Sequence, residues 1–364
     1  MKTITCFIGA LGGGGAEHQM IQLAEMLVEK GYAVSIATFL DIPDHYPLSQ
    51  EVKRVRLAPK GSRFAKIRAI FRFFLSVKTD CVISYTQRAN LLCLIPLLFR
   101  KRIRVIVGER NMSRGKQTRR EKQLFNFLYN RADFIVPNSI TQANYIVGKK
   151  PKFAPKVVPI NNYTDINQFK ASSLPLGDVL RIAIFARFQR QKNCLRFAEM
   201  LGLLKNSYTR RFEIDWYGRH DFDNPALTDY FSRFEAKIKE EGIEEILHIK
   251  DPVKDVSQQL SNYDVVCLPS VLEGFSNSIA EGIASGKPML VSDISDNSRM
   301  VREGENGMLF NPFDVSNMLD VFKQFLTLSD EALVKMGQRS REIAEELFDK
   351  DRFIQDYIRL IEAE

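Results

Sequence analysis

From end to end the chain alternates short apolar runs with amphipathic stretches. That rhythm confines it to parallel sheets covered by helices. Ile4–Ile8, Ala33–Phe39, Cys81–Tyr85, Arg104–Val107 and Phe134–Pro137 read as strands, and Glu17–Lys30 carries a helical period between the first two. A second series runs through Leu180–Ala186, Phe212–Tyr217, Leu247–Ile249, Val265–Pro269 and Pro288–Ser292. Between the series lies Pro151–Gly177, rich in Pro, Asn, Asp and Ser, which reads as a linker. Two series predict two doubly wound α/β domains, and 364 residues let each bury its own core. The stretch from Asp330 to Glu362 reads as helix, broken at Asp349-Lys-Asp351, with Asp351 as N-cap of a final segment Arg352–Ile361.

The net charge of +8 conceals a division. Met1–Gln168 holds 27 Lys and Arg against 11 Asp and Glu, whereas Phe169–Glu364 holds 25 against 33. The basic half is expected to face something anionic; two joined domains that merely differ in composition are the plainer alternative. Five scattered cysteines, with no Cys-x-x-Cys pair and no cluster with the four histidines, argue against zinc and for a reducing, cytoplasmic compartment. The apolar run at the N-terminus ends in a glycine cluster rather than a cleavage site, so strand and loop fit it better than a signal peptide. The longest apolar segment, Leu91–Phe99, falls far short of the ~18 residues that a spanning helix needs.

Three segments carry chemistry. Gly9-Ala-Leu-Gly-Gly-Gly-Gly15-Ala-Glu-His18 follows the first strand and opens a helix, where free N–H groups can approach a phosphate or a sugar. No register satisfies the dinucleotide fingerprint, because the third glycine position holds Glu17 or His18. A flexible turn, with His18 on the surface or at the helix cap, is the alternative. Arg187-Phe-Gln-Arg190-Gln-Lys192 follows the first strand of the second series and reads as a diphosphate cradle or as a solvated basic loop. Ser270-Val-Leu-Glu273-Gly-Phe275-Ser276-Asn277-Ser-Ile-Ala-Glu281 is the most informative. Leu268-Pro269 ends a strand, and Ser276 or Asn277 caps the following helix. Glu281 then sits about 7 Å along the axis from Ser276. One carboxylate stands before the helix N-terminus and the other beside it. That suits a sugar hydroxyl at Glu273 and a ribose at Glu281.

Glu273 and Glu281, with seven residues between them, form the E-x7-E pattern of retaining glycosyltransferases, and with Gly282–Pro288 the segment resembles family 4 of the GT-B superfamily. Gly14-Gly15-Ala16-Glu17, Pro137-Asn-Ser139, Val158-Pro-Ile-Asn-Asn-Tyr-Thr-Asp165 and Gly304-Glu-Asn-Gly307 resemble further segments of that family. The resemblance covers most of the chain. It implies two Rossmann-like doubly wound domains facing across a cleft: an acceptor-binding domain at 1–165, a nucleotide-sugar donor domain at 166–345, and a C-terminal helix at 346–364 that crosses back to the first.

By the same resemblance, Arg187 and Lys192 stabilise the leaving diphosphate, Glu273 contacts the donor sugar near the reacting carbon, and Glu281 holds the ribose. Gly14, Gly15, Phe275, Ser276 and Asn277 complete the donor site with backbone groups, and His18 lies on the acceptor and sugar side. Many relatives carry a His after the fourth strand of the first domain. Here Glu109-Arg110-Asn111 stands in its place, as in some capsule and O-antigen transferases, so Glu109 is expected at the catalytic centre and Arg110 and Asn111 at the acceptor. The implied reaction moves a hexose or N-acetylhexosamine from a UDP-sugar to a saccharide or a polyprenyl-diphosphate-linked acceptor in surface polysaccharide assembly. No cofactor and no metal are expected, although Asp221-Phe-Asp223 is a metal-binding pattern in the other glycosyltransferase fold.

The basic half holds an amphipathic stretch from Arg63 to Leu75, the run Arg100-Lys-Arg-Ile-Arg104, and Arg114, Lys116, Arg119, Arg120 and Lys122. It is expected to contact an anionic membrane peripherally, at the inner face of the plasma membrane. Apolar core faces with solvated charges are the alternative. No nucleic-acid module is present. A non-catalytic nucleotide-sugar-binding protein of the same fold is the second functional reading.

Overall fold

A computed structural model describes the chain apart from residues 13, 58–61, 111–118, 172–173, 221–223 and 364, with backbone alone for Arg63 and for residues 119–122. It divides into two compact units: Met1–Tyr163 with Lys350–Glu364, and Thr164–Asp349. The strand–helix rhythm recurs in both.

In unit 1 the order is β1 (Thr3–Ile8), α1 (Gly15–Glu29), β2 (Ala33–Thr38), β3 (Lys53–Arg56), α2 (Arg63–Ser76), β4 (Cys81–Tyr85), α3 (Gln87–Leu97), β5 (Arg104–Glu109), α4 (Arg119–Tyr129), β6 (Phe134–Pro137) and α5 (Ile140–Lys149). The sheet is parallel throughout, in the order β3-β2-β1-β4-β5-β6. Successive side chains of a strand face opposite ways. Ile4, Cys6 and Ile8 therefore pack with Met20 and Leu27 of α1, while Phe7 packs with Phe74 of α2 and Leu94 of α3. Residues 151–156 of the expected linker form a short 3-10 helix, and the chain then runs beside β6, with Val158 N–H donating to Ile135 O at 2.9 Å.

Unit 2 comprises β7 (Val179–Phe185), α6 (Cys194–Leu204), β8 (Arg211–Tyr217), α7 (Pro225–Glu241), β9 (Leu247–Lys250), α8 (Val256–Leu260), β10 (Val265–Leu268), α9 (Asn277–Ala284), β11 (Met289–Ser292), α10 (Asn297–Met300), β12 (Gly307–Phe310), α11 (Val315–Leu326) and α12 (Asp330–Leu347). Its sheet is also parallel, in the order β12-β11-β10-β7-β8-β9. Each sheet reverses its winding once, between β1 and β4 and between β7 and β10. At such a point the loops after adjacent strands diverge and leave a crevice at their carboxyl ends, where open α/β sheets bind ligands.

The last helix, α13 (Lys350–Glu362), belongs to unit 1. Phe353, Ile354, Tyr357, Leu360 and Ile361 recur at helical spacing and are buried in the core that α1 covers. Lys350–Glu29 at 2.7 Å and Lys30–Asp351 at 3.0 Å flank that apolar seam, and Tyr32 donates to Glu362 at 2.9 Å. The helix starts at Lys350, so Asp351 lies in its first turn instead of capping it. No helix among the described residues is long and apolar enough to cross a membrane.

Candidate active site

The crevice between β7 and β10 is built by two loops that hold each other. In the β7–α6 loop, Phe188 anchors the backbone inside the core, 5.0 Å from Phe231 and 5.7 Å from Trp216 between ring centres. Arg187, beside it, is exposed. A 3-10 turn over Arg190–Lys192 leads to Asn193, whose φ of 62° is left-handed. Asparagine tolerates that conformation better than most side chains. Its amide also donates to Pro312 O at 2.9 Å, which fixes the start of α6.

Gln191 joins this loop to the one after β10. Its side chain donates to Leu272 O at 2.8 Å, and its backbone carbonyl accepts from Val271 N–H at 2.9 Å. One residue on, Lys192 Nζ lies 2.5 Å from Glu273 Oε1, with the two side chains only 16% and 8% exposed. The ion pair therefore sits largely out of water, where each charge depends on the other. Ser295, itself left-handed at φ 52°, donates to Glu273 O at 2.6 Å and steadies the loop from the far side. Arg187 and Arg190 form no ion pair among the described residues, so the crevice carries exposed positive charge.

Helix α9 points its N-terminus into the same region. Ser276 is the N-cap, accepting from Ile279 N–H at 3.4 Å. The N–H groups of the first turn have no partner within the helix ladder and favour an anion. Ser278 donates to Phe185 O at 2.5 Å, which pins the first turn of α9 to the end of β7. Phe275 is buried and packs edge-on against Phe348, at 6.2 Å between ring centres. Glu281 is partly exposed on α9, and its carboxylate makes no hydrogen bond or ion pair among the described residues. Burial raises it from the ordinary 4.5 to about 7. The backbone approaches closely where β8 ends: a Cβ at Gly218 would stand 2.4 Å from Ala186 O.

Arg187, Lys192, Glu273, Phe275, Ser276, Asn277 and Glu281 thus share one sheet edge of unit 2. Gln191, Ser278 and Ser295 were not singled out by sequence, yet they tie the two loops together. Their only sequence signal is a polar residue in a loop after a strand, for Gln191 and Ser295, or in the first turn of the helix that follows, for Ser278.

Unit 1 places its residues differently. Gly14 is the N-cap of α1, and a Cβ there would stand 2.2 Å from a Glu17 carboxylate oxygen. Gly15 is exposed in the first turn. His18 stacks on Tyr46 at 4.7 Å, and burial lowers its pKa below the ordinary 6.5. Glu109 ends β5 inside the unit, where its carboxylate accepts from Tyr129 OH, and Asn90 Nδ2 lies 3.5 Å away. Arg110 is buried too. Its guanidinium stacks 3.9 Å from the centre of the Tyr85 ring, donating to Asn162 at 3.0 Å and to Tyr357 OH at 2.6 Å. The Tyr357 and Tyr85 hydroxyls are 2.7 Å apart. Neither Glu109 nor Arg110 presents its charge to solvent; both serve internal networks of unit 1. Asn111, Asp221 and Asp223 lie outside the described residues. Among the described residues no three His, Cys, Asp or Glu side chains are grouped to hold a metal.

The glycosyltransferase family 4 description matches residues 13–168, and the description of glycosyl transferases group 1 matches residues 180–327. The chain is a family 4 glycosyltransferase with the GT-B fold. This family member is 23% identical, over 99% of its length and all of the other chain, to the N-acetylgalactosamine-N,N'-diacetylbacillosaminyl-diphospho-undecaprenol 4-alpha-N-acetylgalactosaminyltransferase of Campylobacter jejuni. It is 33% identical to the MMP alpha-(1->4)-mannosyltransferase of Mycolicibacterium hassiacum over 117 residues, 31% of this chain and 28% of that one. Among solved structures, HepE of Anabaena in complex with UDP superposes with a TM-score of 0.82 at 19% identity, covering both chains completely.

Proposed function

We propose that this glycosyltransferase moves a hexose or N-acetylhexosamine, with retention of configuration, from a UDP-sugar to a diphosphate-linked saccharide on a lipid carrier. Unit 2 takes the donor and unit 1 the acceptor. The observation that carries the donor reading is the Lys192–Glu273 pair beside the exposed Arg187 and the N-terminus of α9.

Breaking a glycosyl–phosphate bond builds negative charge on the departing diphosphate. Fixed cations and oriented N–H groups stabilise that charge most where water is excluded. Arg187 offers a planar fork and Lys192 a compact charge. A bound diphosphate competes for Lys192, and the released Glu273 carboxylate is then available to hydroxyls of the donor sugar. Glu281 accepts from the ribose. In this reading the protein's own cations do the work, and a metal is not required. The acceptor class is supported by the diphospho-undecaprenol substrate in the name of the Campylobacter relative.

Membrane contact belongs to the same proposal. Phe64 on α2 and Phe99 beyond α3 are each 75% exposed, and Lys66, Arg68 and Arg72 make no ion pair among the described residues. Arg100, by contrast, serves the fold, donating to Leu75 O at 2.6 Å and Val77 O at 3.3 Å. This surface is proposed to rest on anionic lipid at the cytoplasmic face of a membrane.

A thermal-shift panel of nucleotide sugars tests the donor reading. One UDP-sugar is expected to stabilise the wild type selectively and Lys192→Ala at least tenfold more weakly. A panel without any stabiliser would sink the proposal, and selective binding without turnover would favour a non-catalytic binding protein.

A further inference from the structure

A groove of about 440 Å³ opens on unit 1, in the size range of a small-molecule site. Its floor is Phe39, Leu40 and Ile70, and its walls are Ile67 of α2 with Leu91 and Leu92 of α3. Two cations stand in this otherwise apolar lining, Lys66 and Arg88, and the Arg88 guanidinium lies 5.6 Å from the centre of the Phe39 ring. Phe39 and Leu40 directly follow β2, and Arg88 lies in the first turn after β4. The groove therefore meets the carboxyl edge of the sheet, next to the glycine loop after β1, whose Gly9 O accepts from Leu40 N–H at 2.8 Å.

The segment that supplies α2 and α3 is one-sided in charge, although Asp41 directly follows Leu40. From Leu57 to Gly108 the chain has 11 Lys and Arg and one acidic residue, Asp80. Lys66 and Arg88 make no ion pair among the described residues. Apolar walls beside unpaired cations match a hydrocarbon chain that ends in phosphate. A second protein surface would need carboxylates placed against those cations, and a neutral lipid would leave them unused.

We propose that this groove seats the first isoprene units of the lipid carrier, with Lys66 and Arg88 meeting its diphosphate. The inference rests on the lipid-linked acceptor reading above and adds where the tail is held. It differs from general membrane contact, because it requires a single chain to enter the protein.

Farnesyl diphosphate is the probe, titrated calorimetrically into the full chain with UDP saturating the donor site and without any bilayer. It is expected to bind at least tenfold more tightly than inorganic diphosphate. Ile67→Glu is expected to weaken it at least tenfold, and Lys66→Ala with Arg88→Ala at least fivefold, while UDP affinity stays unchanged in both. If Ile67→Glu fails to fold, Ile67→Ser gives the same comparison at smaller amplitude. Equal farnesyl diphosphate affinity in wild type and variants would overturn the groove. So would a defect confined to adsorption on phosphatidylglycerol-containing vesicles. Turnover of a lipid-linked acceptor with unchanged KM in Ile67→Glu would also overturn it while leaving the acceptor reading intact.

Discussion

Replacing Glu281 with Gln keeps the side chain's shape and removes a charge that the fold tolerates poorly. Burial lifts this carboxyl from 4.5 to about 7. At about 1.36 kcal/mol per pH unit, ionising it in the folded chain costs about 3 kcal/mol more than ionising it unfolded. The sign follows from the raised value. The favourable contribution is complete below the unfolded value of 4.5 and is lost as pH rises through about 7. Glu281→Gln is therefore expected to melt with the wild type near pH 4 and above it at pH 8, by up to roughly 6–12 °C for a domain of unit 2's size. Donor binding runs the other way, since a ribose hydroxyl donates more strongly to the ionised carboxylate than to the protonated acid. A group titrating near pH 7 is roughly a tenth ionised at pH 6 and nine-tenths at pH 8, so UDP gains at most roughly tenfold in affinity from this residue over that interval. Isothermal titration of UDP into both proteins at the two pH values isolates the effect, because titration of the nucleotide itself is common to both. Equal pH dependence of UDP affinity in wild type and Glu281→Gln would refute the assignment of Glu281 to the ribose, and a Gln variant less stable at pH 8 would refute the raised carboxyl.

Other perturbations test the surrounding structure. Lys192→Ala strands the Glu273 carboxylate, 8% exposed, without its cation, and is expected to cost about 3 kcal/mol in urea unfolding and more than tenfold in turnover. Adding Glu273→Gln is expected to recover stability but not turnover, which separates the fold from the chemistry. Tyr357→Phe removes the hydroxyl that joins Arg110 at 2.6 Å and Tyr85 at 2.7 Å, and should destabilise unit 1 by about 1–3 kcal/mol while UDP affinity holds. Turnover is expected to survive EDTA; loss that manganese restores would end the metal-free proposal.

Local pattern made much of the fold legible. β4 and β6 match their expected limits because buried parallel strands read as continuous apolar runs. The Ser276 cap was legible because a capping residue stands directly before the apolar period of α9. β3, Lys-Arg-Val-Arg, escaped notice because an edge strand needs no apolar run. β12 begins at Gly307, where a Cβ would stand 2.2 Å from Met289 O, and so shows a turn residue where a strand starts.

The site was legible in its residue types but not in their partners. Lys192 and Glu273 are 81 residues apart and meet only because β7 and β10 are neighbours. In sequence Glu109 looks like a group of the catalytic centre and Arg110 like an acceptor-side group. Their burial depends on Tyr129, Tyr85 and Tyr357, which three separate helices and strands bring together. Helix spacing reports nothing about such encounters.

Nuclear magnetic resonance of the product formed from a UDP-sugar panel and an isoprenoid-diphosphate-linked saccharide tests the proposed reaction most directly. The expected result is consumption of one UDP-sugar to give a glycoside with the anomeric configuration of the donor, with Lys192→Ala at less than a tenth of the wild-type rate. An inverted product, or a wild-type rate in Lys192→Ala, would contradict it.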